Sequence, residues 1–281
     1  MDPQLLRSAA FDAGGEGGNP AGVWIGDALP SSDEMQRIAA EVGYSETAFN
    51  ERVSDHRWTT RYYSPEAEVS FCGHATIATG VALGERYGTG RYELDTAVGP
   101  VSVDVSADAV GRLKAVLTSV EPQTRPLARS LLESVLGALR WSRSRLDPTL
   151  PPGLAYAGAW HLILPVDRET LASLDYEFDA LKALMLEHDL TTIQIIVREQ
   201  PALFHSRNPF PVGGVVEDPA TGAAAAALGA YLRDRGEVSP PADLVIHQGF
   251  DMGRPSILDV HIPTSGGIRV GGTAAAIDGY D

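Results

Sequence analysis

The 281 residues, 44% hydrophobic and 21% charged, suffice for two soluble globular lobes with a core each. With 22 basic against 37 acidic residues the formal charge is −15, which argues against nucleic acid and anionic membranes as partners. Cys72 is the only cysteine, which excludes an internal disulfide and points to a reducing cytoplasm, and the seven histidines show no ligand spacing, so no metal is expected.

The opening Met1-Asp2-Pro3-Gln4 lacks the basic-then-apolar pattern of a secretory signal, and the longest small-apolar run, residues 223–228, is too short to span a bilayer. A short strand is expected near 5–11, followed by a glycine-rich turn, Ala13-Gly14-Gly15-Glu16-Gly17-Gly18-Asn19-Pro20. That loop reads as a turn and not as a phosphate cradle, because Glu16 would repel phosphate and no helix with Lys-Ser/Thr follows. Ser31 and Glu34 form a capping box, and Met35, Ile38, Ala39 and Val42 then recur at helical spacing. Strands over 47–53 and 57–63 precede an Ala/Gly-rich helix over 73–87, and strands over 91–97, 101–106 and 112–120 follow. The two prolines of Glu121-Pro122-Gln123-Thr124-Arg125-Pro126 interrupt both periodicities and mark a boundary. Beyond it the pattern predicts helices over 127–139 and 177–188 and strands over 159–166, 193–199 and 202–206. A second Ala/Gly-rich helix and strands over 244–248, 257–262 and 268–270 close the chain.

The two Ala/Gly-rich helices share a register. Setting Gly73 on Gly222 also pairs Ala75 with Ala224, Ala78 with Ala227, Gly80 with Gly229, Leu83 with Leu232 and Arg86 with Arg235. This spacing suits one face of a helix and implies a duplicated fold. The expected architecture is α+β: two similar lobes related by a pseudo-two-fold axis, each a curved, mostly antiparallel sheet wrapped round a central helix. The lobes are expected at 1–120 and 121–267, with 268–281 returning to the first. A helix apolar nearly all round must be surrounded, and small residues let the sheet approach it closely. A two-fold relation can point both helix N-termini into one cleft, where unsatisfied N–H groups and the helix dipole suit a small carboxylate.

Three acid-base side chains flank these helices. Glu46 follows the first helix, where aromatic and small neighbours can desolvate a carboxylate and raise its pKa toward that of a working general base. His74 lies in the first turn of its helix, where burial and the positive helix end favour the neutral imidazole. Asp218 precedes the second helix, where the helix end favours its charged form and plain N-capping would also account for it. Arg207 and Arg254 could clamp a carboxylate.

At Gly18-Asn19-Pro20, Ser45-Glu46-Thr47-Ala48-Phe49, Phe71-Cys72-Gly73-His74-Ala75-Thr76 and Glu217-Asp218-Pro219-Ala220-Thr221-Gly222-Ala223-Ala224 the chain resembles the phenazine-biosynthesis (PhzF-like) isomerase family. Gln248-Gly249, Met252-Gly253-Arg254-Pro255-Ser256 and Val270-Gly271-Gly272 are weaker echoes. The resemblance implies the diaminopimelate epimerase-like fold and a cofactor-independent isomerase of a small carboxylic acid, with a homodimer as the family's usual assembly. It implies that Glu46 takes a proton from one carbon and returns it to another, with His74 and Asp218 orienting the substrate and stabilising developing charge. The backbone N–H groups of Gly73 and Gly222 would hold the substrate carboxylate, and Asn19, Ser45, Thr221 and Ala223 would line the substrate site.

Related epimerases use two cysteines, at positions that correspond here to Cys72 and Thr221; threonine cannot serve as the second base. Family members commonly carry serine where this chain has Ala223, and Arg-x-Phe-x-Pro where it reads Arg207-Asn208-Pro209-Phe210-Pro211. Both departures touch the expected pocket wall. The competing readings are a single-thiol epimerase or racemase of an amino acid, and a non-catalytic binding protein on the same fold.

Overall fold

The computed structural model describes residues 4–277. The readings of the opening tetrapeptide and of the extreme lobe boundaries fall largely on residues 1–3 and 278–281, outside the described residues. The chain divides into two compact units, one running to Thr118 and resuming at Gly271, the other Ser119–Val270. No helix among the described residues is long and apolar enough to cross a membrane.

The first unit contains β1 (Gln4–Ala10), β2 (Asn19–Gly26), α1 (Ser32–Val42), β3 (Glu46–Arg52), β4 (Arg57–Tyr63), β5 (Glu68–Val69), α2 (Gly73–Tyr87), β6 (Gly90–Thr96), β7 (Gly99–Ala107) and β8 (Leu113–Thr118). The second contains β9 (Gln123–Arg125), α3 (Arg129–Ala138), β10 (Gly153–Tyr156), β11 (Trp160–Pro165), α4 (Arg168–Ala172), α5 (Phe178–Glu187), β12 (Thr192–Gln200), β13 (Leu203–Pro209), β14 (Glu217–Asp218), α6 (Gly222–Asp234), β15 (Ala242–Gln248) and β16 (Ser256–Ile262). The chain then passes through β17 (Arg269–Gly272), and β18 (Ala274–Ala276) pairs with β1.

The two units repeat one pairing plan. In the first, β1–β2 is antiparallel, β2–β3 parallel, β3–β4 antiparallel, β4–β6 parallel and β6–β7 antiparallel. In the second, β10–β11, β11–β12, β12–β13, β13–β15 and β15–β16 follow the same alternation. The two-residue strands β5 and β14 sit equivalently, each antiparallel to the strand before it and just ahead of the central helix. Parallel neighbours need a crossover; α1 supplies it between β2 and β3, and α4 with α5 between β11 and β12.

Each sheet wraps its helix. In the first unit α2 packs against β1, β2, β3, β7, β8 and β18; in the second, α6 packs against β9, β10, β11 and β16. Eleven consecutive residues of α2, His74 to Gly84, are buried. The small residues set the spacing. A Cβ on Gly80 would lie 2.6 Å from Val103 Cγ1 and 2.9 Å from the Ala115 Cβ, and one on Gly84 would lie 2.6 Å from Val105 Cγ1. At the equivalent Gly229 the nearest atom, on Ile268, would be 3.0 Å away. Close approach of sheet to helix is therefore the physical content of the shared register, since added methyls in a packed core force strain.

The helices and most strands lie where the sequence pattern puts them, to within a few residues, and α2 spans the expected 73–87. Ser31 caps α1 by accepting from the Glu34 N–H, but the Glu34 carboxylate pairs with Arg37 at 2.6 Å, so only half of the capping box forms. The pattern passed over β2, β5, β9, β10, β14, α4 and β18. Strand β2 escapes because both its faces are covered: Ala21, Val23 and Ile25 are fully buried, while Trp24 joins Met35, Ala39, Phe49 and Tyr63 in a cluster with α1. Such a strand shows no alternation. Pro20 also discourages a strand reading, yet it lies one residue before the pairing with β3 begins at Ala21, where a missing N–H is tolerated. Strand β9 falls within the proline-flanked segment read as a boundary.

His161 on β11 has no solvent exposure; its Nδ1 lies 2.8 Å from Thr192 Oγ1, and Nε2 meets no partner among the described residues. Burial pushes its pKa down to about 3, so the folded chain holds it neutral. The unfolded chain binds that proton below about pH 6.5, so stability is full above this value and falls as the pH drops toward 3. Between pH 7 and 5 the loss is about 2 kcal/mol from this side chain. His161→Gln is expected to flatten the pH dependence of urea unfolding by about that amount; an unchanged slope would place the acid sensitivity elsewhere.

Candidate active site

Helix α1 ends at Gly43, whose φ of 71° is the left-handed value glycine adopts without strain, and three residues later the chain enters β3 at Glu46. Register sets Glu46 beside Ala21 of β2, so Asn19, two residues earlier on that strand and 2% exposed, lies on the same face. The loop after β5 delivers Cys72 as the N-cap of α2, with His74 in the first turn. Thr76 locks this turn: its hydroxyl donates to the Cys72 carbonyl at 2.6 Å and lies 2.6 Å from the buried Tyr62 hydroxyl. Burial pushes the Tyr62 phenol up, well away from ionisation.

Four polar side chains converge here. Glu46 Oε2 lies 3.4 Å from His74 Nε2 and 3.5 Å from Cys72 Sγ. Cys72 Sγ lies 3.4 Å from His74 Nδ1, and Ser45 Oγ lies 3.4 Å from Nε2. The side chains of Glu46 and His74 retain 21% and 10% exposure, so the carboxylate is reachable while the imidazole is largely enclosed. The backbone at Gly73 is open, with no heavy atom within 4 Å of where a Cβ would stand.

In the second unit Asp218 ends β14, opposite Asn208 of β13. It is not the N-cap of α6; that position is Thr221, whose hydroxyl donates to Asp218 Oδ2 at 2.6 Å. Gln248, 1% exposed, braces the turn. Its Oε1 accepts from the Thr221 N–H at 3.2 Å, and its Nε2 donates to the Asp218 carbonyl at 2.7 Å and to Thr221 Oγ1 at 3.0 Å. The sequence showed Gln248-Gly249 only as a weak echo. Gly249 has φ 76°, and a Cβ on it would stand 2.3 Å from the Arg254 carbonyl oxygen and 2.8 Å from that of Pro219. Among the described residues neither α2 nor α6 receives a capping bond from its N-cap side chain, and a helix start without one is a favourable place for an anion. Gly222 and Ala223 begin α6 and are part-exposed.

Arg207, which could clamp a carboxylate, is engaged within its own unit. Its guanidinium grips Glu217, with Nη2 to Oε2 at 2.7 Å and Nε to Oε1 at 3.0 Å, and Nη1 donates to the Leu171 carbonyl at 3.2 Å. Arg61 grips Glu68 in the same way in the first unit, at 2.7 and 2.6 Å. The offset of Glu68 from Glu217, 217 − 68 = 149, equals that of Gly73 from Gly222.

The repeated pairing plan, the two signature helices and the strings at their starts define a family. The phenazine biosynthesis-like profile (PhzC-PhzF) matches residues 8–279. An uncharacterised isomerase of Deinococcus radiodurans is 32% identical, covering 95% of this chain and 90% of that protein. A trans-2,3-dihydro-3-hydroxyanthranilate isomerase of Pseudomonas chlororaphis is 30% identical, covering 86% of this chain and 84% of its own. The crystal structure of a Bacillus anthracis phenazine biosynthesis protein of the PhzF family superposes with a TM-score of 0.86 at 26% identity, covering 99% of this chain and 98% of that one. The chain belongs to the PhzF-like family of isomerases, with the two-lobed α+β fold of that family.

Proposed function

We propose that this chain is a cofactor-independent isomerase that shifts a proton on a small, unsaturated or amino-bearing carboxylic acid. The supporting observation is the reachable carboxylate of Glu46, 3.4 Å from His74 Nε2 beside the open start of α2. Glu46 removes a proton from carbon, the electron pair moves into the conjugated system, and the resulting carboxylic acid returns the proton to another carbon on the same face. No net oxidation or reduction occurs. His74 holds a polar group of the substrate and stabilises developing charge, and Asp218 is the acidic group at the equivalent helix start of the second unit. In the first unit the N–H group at Gly73, with Asn19 and Ser45 beside it, makes a helix start suited to a carboxylate; in the second unit Gly222, with Thr221 and Ala223, makes the equivalent one.

A thiol epimerase is the weaker reading, since the residue at the Cys72 position in the second unit is Thr221, whose hydroxyl is committed to Asp218. The Pseudomonas relative is named for trans-2,3-dihydro-3-hydroxyanthranilate. Here Ala223 withholds a hydroxyl and Arg207-Asn208-Pro209-Phe210-Pro211 displaces an aromatic, so we extend only the substrate class. The test is a thermal-shift screen of small carboxylic acids, each stabilising acid then incubated with the protein in D2O and examined by NMR. A shifted double bond supports the proposal. An acid that binds and is recovered unchanged, with no deuterium at carbon, supports a binding protein instead.

A further inference from the structure

Glu46, Cys72 and His74 offer a carboxylate oxygen, a thiol sulfur and an imidazole nitrogen that all lie within 4.8 Å of one another. We infer that these three residues form a binding site for a thiophilic divalent cation, Zn2+ being the best match. The edges of the donor triangle are 3.5 Å (Sγ to Oε2), 3.4 Å (Oε2 to Nε2) and 3.8 Å (Sγ to Nε2). Bond lengths of about 2.3 Å for Zn–S and about 2.0–2.2 Å for Zn–N and Zn–O at tetrahedral angles require edges of about 3.3–3.6 Å. Two of the three edges meet this requirement, and the 3.8 Å edge has to close by a few tenths of an ångström for one cation to bond all three. Because Sγ also lies 3.4 Å from Nδ1, the imidazole turns on its Cβ–Cγ bond to aim the Nε2 lone pair.

Donor chemistry selects the metal. Thiolate and imidazole exclude Mg2+ and Ca2+, which take oxygen ligands. One thiolate and one carboxylate neutralise a divalent charge without a further counter-ion, the thiol losing its proton as the metal binds. Three protein ligands leave a fourth position for water. Histidine spacing along the chain gave no hint of this site, because its ligands come from a strand start and a helix start 26 residues apart.

Metal binding stands independently of the proposed reaction. One consequence does rest on it: a bound cation occupies the lone pair with which Glu46 takes its proton, so the same site makes the isomerase sensitive to zinc. The experiment titrates the full-length, metal-free protein with Co2+ and then displaces it with Zn2+. Since Cys72 is the only cysteine, a thiolate-to-cobalt charge-transfer band can arise nowhere else in the chain. One equivalent of Co2+ giving this band, and its loss on adding one equivalent of Zn2+, is the expected result. Glu46→Gln and Cys72→Ser should each weaken Zn2+ binding by about tenfold or more. Cobalt bound without the band overturns the inference, as do variants that bind Zn2+ as tightly as the parent. Failure of the isomerase reading would instead appear as intact metal binding in a protein that turns over no acid.

Discussion

Glu46→Gln is expected to lose about 10²- to 10⁴-fold in turnover, the usual worth of a positioned acid-base group, while folding normally. The substitution is nearly isosteric and keeps a side chain able to hydrogen-bond His74 and Cys72, but an amide cannot take a proton from carbon at neutral pH. Because the two side chains are nearly identical in size, packing should change little, and the melting temperature is the control that separates chemistry from folding. The readout is deuterium delivered from solvent to the product's new C–H bond, together with the rate of the double-bond shift. Cys72→Ala tested beside it retains turnover if Glu46 is the base and loses it if the thiol is. A Glu46→Gln protein that isomerises at the parent rate would remove the carboxylate from the mechanism altogether.

What the sequence discloses about this site follows from burial. The central helices are enclosed on every side, so their small residues are fixed by what the surrounding sheet must approach, and a shared register at Gly80 and Gly229 is visible without coordinates. The strings at the helix starts carry backbone geometry and acid-base groups together, which is why Glu46, Cys72 and His74 stand out. Gln248 does not. Its role comes from three hydrogen bonds to a turn 27–30 residues away, and a lone glutamine after a strand carries no local sign of that. Strands covered on both faces, such as β2, lose the period-two pattern for the same reason that the helices gain their glycines. The duplicated ion pairs were within reach: Glu68 and Glu217 share the helix offset of 149, although Arg61 and Arg207 sit at 146.

Those two pairs give the second large effect. Glu217→Ala should destabilise the protein by about 3–5 kcal/mol, the cost of leaving a buried charge without its partner. Glu68→Ala should cost only about 0.2–1 kcal/mol, the worth of an exposed pair. The chemistry and the strand register are the same in both; burial decides. The Arg207 and Glu217 side chains are 13% and 4% exposed, against 31% and 39% for Arg61 and Glu68. Water can resolvate Arg61 once Glu68 is gone, whereas among the described residues Arg207 keeps as hydrogen-bond partners the Leu171 and Ala172 carbonyls, two neutral acceptors for a full charge, with the Asp251 charge acting on it as well. Urea unfolding of the two variants measures the difference directly. Replacing both buried partners by apolar residues, Arg207→Met with Glu217→Leu, should recover much of the loss, because no charge is then stranded. Equal losses at Glu68 and Glu217 would show that desolvation of Arg207 is not the controlling term. Because β14 carries Glu217 next to Asp218, the same substitution loosens the strand from which the turn to α6 begins.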